Sequence, residues 1–272
     1  MTLGICVAIP EGVVMAGESR QGYQGRAGAR ISSDSATKVF ELSDCVLAAT
    51  SGWAFLRPQG ATTHRNIASL VEELKVTLPA NLSVKDTADA LYAYFNQAYQ
   101  WHTAQGHDQP VPSGQIALSF LVAGYDPNSR VGLVFICNIP GGVSPLRDTN
   151  NPGPNWIGQF DVVARIIKGW DPRLANLGFV RQLEQQGGQQ AIQAVAQQLN
   201  GLEYIINWHV MTLQDAIDFA TSMIQITISI QRFTDGIQMI PGDVAGVGGP
   251  VDVALVKPNN RPVWIRKKEL HA

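Results

Sequence analysis

A threonine stands second in this 272-residue chain, and its hydroxyl is the first group that could do chemistry. Removal of Met1 would make Thr2 the first residue, carrying both that hydroxyl and a free α-amine. Such an amine titrates near pH ~7.7–8.0 and can act as a general base close to neutrality. A threonine activated by its own amine is a recognised nucleophile design. A lysine ammonium beside the hydroxyl would lower its pKa, and a carboxylate would orient that lysine. Glu18 and Lys38 supply these two types, each at the end of a predicted strand. The plainer reading of the pair is a surface ion pair, and a threonine at position 2 is commonplace.

The elements that must bring these residues together follow from periodicity. Residues 2–9 alternate, with Leu3, Ile5, Val7 and Ile9 on one face, as in a half-buried strand. Pro10-Glu11-Gly12 is turn chemistry, and residues 13–19 read as the returning strand of a hairpin. That hairpin sets Thr2 opposite residue 19 or 20, so Glu18, Ser19 and Arg20 lie beside the chain start. A Gly-rich stretch, 21–30, reads as a loop. Residues 38–42 and 45–49 form a second hairpin. Helices are predicted over about 63–77 and 84–103, the second capped by Ser83. Strands follow at 116–124 and 131–138, then a Pro/Asn/Gly-rich loop to 155. Helices near 159–169, 188–200 and 212–231 precede a closing strand pair at 251–256 and 263–265. Without a βαβα alternation, a doubly wound parallel sheet is disfavoured. The reading is one domain over 1–272, α+β, with two antiparallel sheets and helices on their outer faces.

In this order the motifs resemble a known family. The segment Thr2-Leu3-Gly4-Ile5, followed by Glu11-Gly12-Val13-Val14-Met15-Ala16-Gly17-Glu18-Ser19-Arg20, resembles the start of mature proteasome β subunits. Ser35-Ala36-Thr37-Lys38-Val39-Phe40 resembles their catalytic-lysine segment, and Thr50-Ser51-Gly52-Trp53 their following glycine turn. Met211-Thr212-Leu213-Gln214-Asp215-Ala216 and Gly248-Gly249-Pro250-Val251-Asp252 resemble a late helix start and the closing glycine pair. A Met-Thr start without a propeptide is similar to the bacterial HslV-type peptidases.

The resemblance implies a four-layer αββα sandwich of the N-terminal-nucleophile (Ntn) hydrolase type, with a family-specific helical insertion at about 170–208. It implies Thr2 as nucleophile, Glu18 as acidic partner, Lys38 beside the nucleophile and Gly52 as an oxyanion donor, with Ser19 and Arg20 supporting. By the same analogy Gln21, Ala36, Phe40 and Ala54 line the substrate pocket. It further implies peptide or unfolded-polypeptide substrates, stacked homo-oligomeric rings and no cofactor, and leaves any ATPase partner open. Two departures stand out. Gln159, within Ile157-Gly158-Gln159-Phe160, replaces an accessory serine. Asp243 matches a late aspartate, but Gly246 and Val247 stand where its serine partner belongs. A small-molecule amidohydrolase and a catalytically silent ring subunit remain alternative readings.

Composition limits the rest. A net charge of -2 gives no basic excess to favour nucleic acid. No leader pattern or membrane-spanning run is legible, so a cytoplasmic location is expected. Cys6, Cys45 and Cys137 sit in apolar runs and form no disulfide or zinc pattern. The five histidines are scattered along the chain, with no HExxH or CxxC, so no metal site is expected.

Overall fold

The computed structural model describes residues 2–25, 28–171, 173–174, 177–234 and 244–269. The chain divides into two compact units, Met1–Gln159 with Trp208–Ala272, and Phe160–Asn207.

The larger unit is built on two five-stranded antiparallel sheets. In the first, β1 (Leu3–Ile9) and β2 (Gly12–Glu18) form the expected hairpin around Pro10-Glu11. Strand β12 (Gly153–Gly158) flanks β1, while β13 (Val251–Val256) and β14 (Val263–Arg266) follow β2. The second sheet has the order β11 (Gly142–Asp148), β10 (Gly132–Ile139), β9 (Leu118–Tyr125), β6 (Val46–Gly52), β5 (Val39–Ser43). Two small hairpins complete the strands: β3 (Gln21–Gly25) with β4 (Gly28–Ser33), and β7 (Phe55–Leu56) with β8 (Arg65–Asn66).

Three helices cover these sheets. Helix α1 (Ile67–Thr77) and helix α2 (Val84–Ala104) bury Leu70, Val71, Leu91 and Phe95 against Phe120, Val122, Phe135 and Cys137 of the second sheet. Full burial of a side chain such as Phe95 contributes about 1.5–3 kcal/mol. Ser83 caps α2 as predicted, its hydroxyl accepting from the Asp86 N–H. Helix α5 (Leu213–Phe233) packs on β1 and β2 and starts with a capping box between Thr212 and Asp215. A second apolar cluster joins the sheets: Cys6, Ala8, Val13 and Met15 meet Leu47, Ala49, Leu121 and Ala123. Covered on one face by α5 and on the other by the second sheet, β1 and β2 are buried at every position. The half-buried first strand read from alternation is corrected accordingly.

The smaller unit contains α3 (Asp161–Lys168) and α4 (Gly178–Asn200). Helix α3 ends on Gly169 in the left-handed region, and the Tyr204 N–H donates to the Ile167 carbonyl. Helix α4 begins ten residues earlier than expected and bends at Gly188.

Two predicted loops are strands. Residues 21–25 and 28–30 belong to the β3–β4 hairpin, because Tyr23 and Ile31 keep β character within the glycines. The stretch 140–155 contains β11 and the first half of β12, a strand whose partner β1 lies far away in sequence: Trp156 pairs with Ile5.

Candidate active site

The hairpin register fixes the neighbourhood of Thr2. Gly4 pairs with Gly17, and continuing the ladder sets Thr2 opposite Ser19. The Leu3 N–H donates to Glu18 Oε1 at 3.4 Å. Just past β12, the Gln159 N–H donates to the Thr2 carbonyl at 2.7 Å. Between these bonds Gly158 has φ +88, and a Cβ there would lie 1.8 Å from the Thr2 oxygen. Only glycine lets β12 approach the chain start so closely.

Lys38 enters from the second sheet, one residue before β5. Its Nζ donates to Thr2 Oγ1 at 2.8 Å, to Glu18 Oε1 at 2.5 Å, and to the Arg20 carbonyl. Three groups fill the donor capacity of one ammonium. Glu18 is fully buried and Lys38 nearly so. Burial pushes the Glu18 carboxyl up and holds the Lys38 ammonium below its ordinary range, each against the pull of the other. The second Glu18 oxygen accepts from the Arg20 N–H (2.6 Å) and the Gly248 N–H (3.0 Å). The simple surface ion pair is therefore excluded by burial.

Gly52 forms the far wall. Along β6, alternate residues turn their N–H groups to opposite sides. The Thr50 N–H donates to the Lys38 carbonyl at 3.0 Å, while the Trp53 N–H, just past β6, donates to the Ala117 carbonyl, just before β9, at 2.8 Å. Gly52 pairs with Leu118 at the end of β6, where β5 has not yet begun, and lines the cleft. Its φ is +108, and a Cβ would meet the Ala117 oxygen at 2.2 Å. The position admits glycine alone.

A cleft of about 440 Å³ opens on Thr2 and Lys38. Gln21, Ala36 and Ala54 line it, as the resemblance implied, together with Gly52 and Trp53. Phe40 does not, because β5 turns it into the core beneath α1 and α2.

The supporting residues divide. Arg20 clamps Asp34 through two bonds, at 2.7 and 2.9 Å, and reaches the Ala245 carbonyl. That clamp raises the Arg20 guanidinium and lowers the Asp34 carboxyl. Ser19 contributes backbone bonds to Gly248 and Ala36, and its buried hydroxyl has no partner among the described residues. Gln159 is buried beside Thr2 and accepts from Gln231 Nε2 at 2.9 Å. Met1 and Asp243 lie outside the described residues. Sequence reasoning missed Gln231 and Gly248 as site residues. Gln231 sits in a helical stretch, where a polar residue on the buried face is the one signal that could have found it.

The histidines are not all scattered. His64, His102 and His107 converge, with ring centroids 5.3–5.7 Å apart, and Asp108 joins them. Fully buried His102 accepts the Arg57 N–H on Nδ1 at 2.8 Å. Its Nε2 therefore carries the proton and donates to Asp108 at 2.9 Å. Nδ1 is engaged by the Arg57 backbone and Nε2 by Asp108, so His102 offers no lone pair to a cation in this arrangement.

No model of a known protein family matches the sequence, and no curated protein matches it. Among solved structures the chain is similar to an Anbu (Gly-1) mutant from Hyphomicrobium sp. strain MC1, with a TM-score of 0.54 and 12% identity. The match covers 98% of this chain and 86% of that one. The likeness establishes a shared fold and, at this identity, nothing about activity. It also corrects the resemblance drawn from sequence. The neighbour is an Anbu protein, distinct from the HslV-type peptidases, and short motifs spread over nearly the whole chain had suggested the wrong relative. Among the described residues no helix is long and apolar enough to cross a membrane.

Proposed function

We propose that this chain is a proteasome-like threonine peptidase in which Thr2 is the nucleophile once Met1 has been removed. The observation that carries the reading is the bond from Lys38 Nζ to Thr2 Oγ1, 2.8 Å, inside a buried network with Glu18. A structural ion pair has no need of a hydroxyl held on its ammonium.

In the proposed reaction the Thr2 hydroxyl attacks an amide carbonyl in the cleft. Its proton passes to the α-amine of the same residue and then to the departing amine. Lys38 favours the alkoxide by its charge, and Glu18 holds Lys38 in place. The Gly52 N–H donates to the oxyanion, a contribution of several kcal/mol in comparable sites. The product is an ester between Thr2 and the acyl half of the substrate. Water, deprotonated by the α-amine, cleaves that ester, releases a carboxylic acid and restores the hydroxyl.

Two antiparallel sheets between helical layers, the αββα sandwich, are the architecture proposed for this domain, with the unit Phe160–Asn207 as an insertion into it. A cytoplasmic homo-oligomer is proposed with it. The low charged fraction, 15%, and the exposed Ile226, Ile230 and Phe233 on α5 support an assembled state.

Turnover of a panel of fluorogenic peptides tests the activity. Wild-type protein is expected to release the fluorophore, and Lys38→Ala to release none. Hydrolysis of a small amide beside complete silence on every peptide would count against a peptidase.

A further inference from the structure

Gln231 occupies the last turns of α5, buried, with its carboxamide between two segments that both touch the site. The Val247 N–H donates to Gln231 Oε1 at 2.8 Å. A backbone N–H can only donate, so that oxygen assignment is fixed, and Gln231 Nε2 must be the group facing Gln159. It donates to Gln159 Oε1 at 2.9 Å. Each neighbour then reaches the machinery directly. The Gln159 N–H holds the Thr2 carbonyl, and Gly248, adjacent to Val247, holds Glu18 Oε2 with its N–H and the Ser19 N–H with its carbonyl.

We infer that Gln231 is a positioning residue, tying the strand end that seats Thr2 to the segment that seats Glu18. The inference rests on the proposed role of Thr2. One side chain sets the spacing of nucleophile and carboxylate, and through Glu18 the position of Lys38.

Leucine at this position would fill similar space but leave the Val247 N–H and Gln159 Oε1 without this partner. Glutamate separates positioning from packing. An ionised carboxylate still accepts from Val247, yet it turns an acceptor toward Gln159 Oε1 and repels it. A protonated carboxyl donates to Gln159 and accepts from Val247, reproducing the native pattern. Burial raises the pKa of such a carboxyl.

The test measures the rate of covalent labelling of Thr2 by a peptide epoxyketone in wild type, Gln231→Leu and Gln231→Glu, at several pH values, with thermal melting as a fold control. Gln231→Leu is expected to label about ten- to a hundredfold more slowly at every pH, as a displaced reacting group does. The ratio of Gln231→Glu to wild type is expected to climb toward one as pH falls. Equal labelling rates in all three folded proteins, or a ratio for Gln231→Glu that does not move with pH, would overturn the role of Gln231 and leave that of Thr2 intact. Absence of Thr2 labelling in wild type would instead overturn the nucleophile assignment and this inference with it.

Discussion

The Lys38 ammonium bridges the Thr2 hydroxyl, 2.8 Å away, and the Glu18 carboxylate, 2.5 Å away, so one cation joins the first strand of one sheet to the edge strand of the other. The two partners are 36 and 20 residues from Lys38 in sequence. Removing either charge leaves the other buried and unpaired, which destabilises by about 3–5 kcal/mol. Lys38→Met and Glu18→Gln are each expected to lower stability by that order in urea denaturation. The double variant should recover part of the loss. Strictly additive losses would show that the two groups do not interact.

The pH profile of kcat/KM carries a second expectation. Burial holds the Lys38 ammonium below the ordinary lysine value of 10.5. As pH rises through the lowered value the ammonium is lost, and the Thr2 hydroxyl loses its donor. On the acid side, protonation of the α-amine removes the base; its ordinary value of ~7.7–8.0 is depressed by the nearby ammonium. A bell is expected whose alkaline limb falls below pH 10.5. Full activity persisting above that value would contradict the role given to Lys38.

Gly52→Ala places a methyl group against the Ala117 carbonyl and a non-glycine residue at φ +108. Strain of about 1–3 kcal/mol is expected, and the backbone N–H proposed as the oxyanion donor is displaced. Peptide turnover should fall far more than the melting temperature. Unchanged kcat would rule out this N–H as an oxyanion donor.

Thiol chemistry offers a contrast. Burial raises the Cys6 and Cys137 thiols to about 12, so neither forms a thiolate at neutral pH. Treatment of native protein with iodoacetamide at neutral pH is expected to leave activity intact and both residues unmodified by peptide mass mapping. Inactivation in step with alkylation of either cysteine would point to a different nucleophile.

Much of this site was legible because its information is local. Alternation in residues 2–9 and the Pro10-Glu11 turn determine the hairpin, and the hairpin alone sets Glu18 and Ser19 beside Thr2. Lys38 was reachable from the strand that it precedes. What escaped is non-local. Strand β12 pairs with β1 across about 150 residues, and nothing in Gly153-Pro154-Asn155 marks it as a strand apart from that pairing. Gln231 looked like any polar residue of an amphipathic helix until Val247 came back against it. His64 and His102 are 38 positions apart and meet only because β7 and β8 fold back on the end of α2. The Gly-rich hairpin β3–β4 was lost for a different reason: glycine weakens the propensity signal on which strand reading depends.

Mapping the site of covalent attachment tests the central claim most directly. Wild-type protein and Thr2→Ala are treated with a peptide epoxyketone, and intact and N-terminal-peptide masses are read. The account predicts a wild-type chain that begins at Thr2 and carries one adduct on that residue, with no adduct in Thr2→Ala. A wild-type chain that retains Met1, or an adduct that persists in Thr2→Ala, would contradict it.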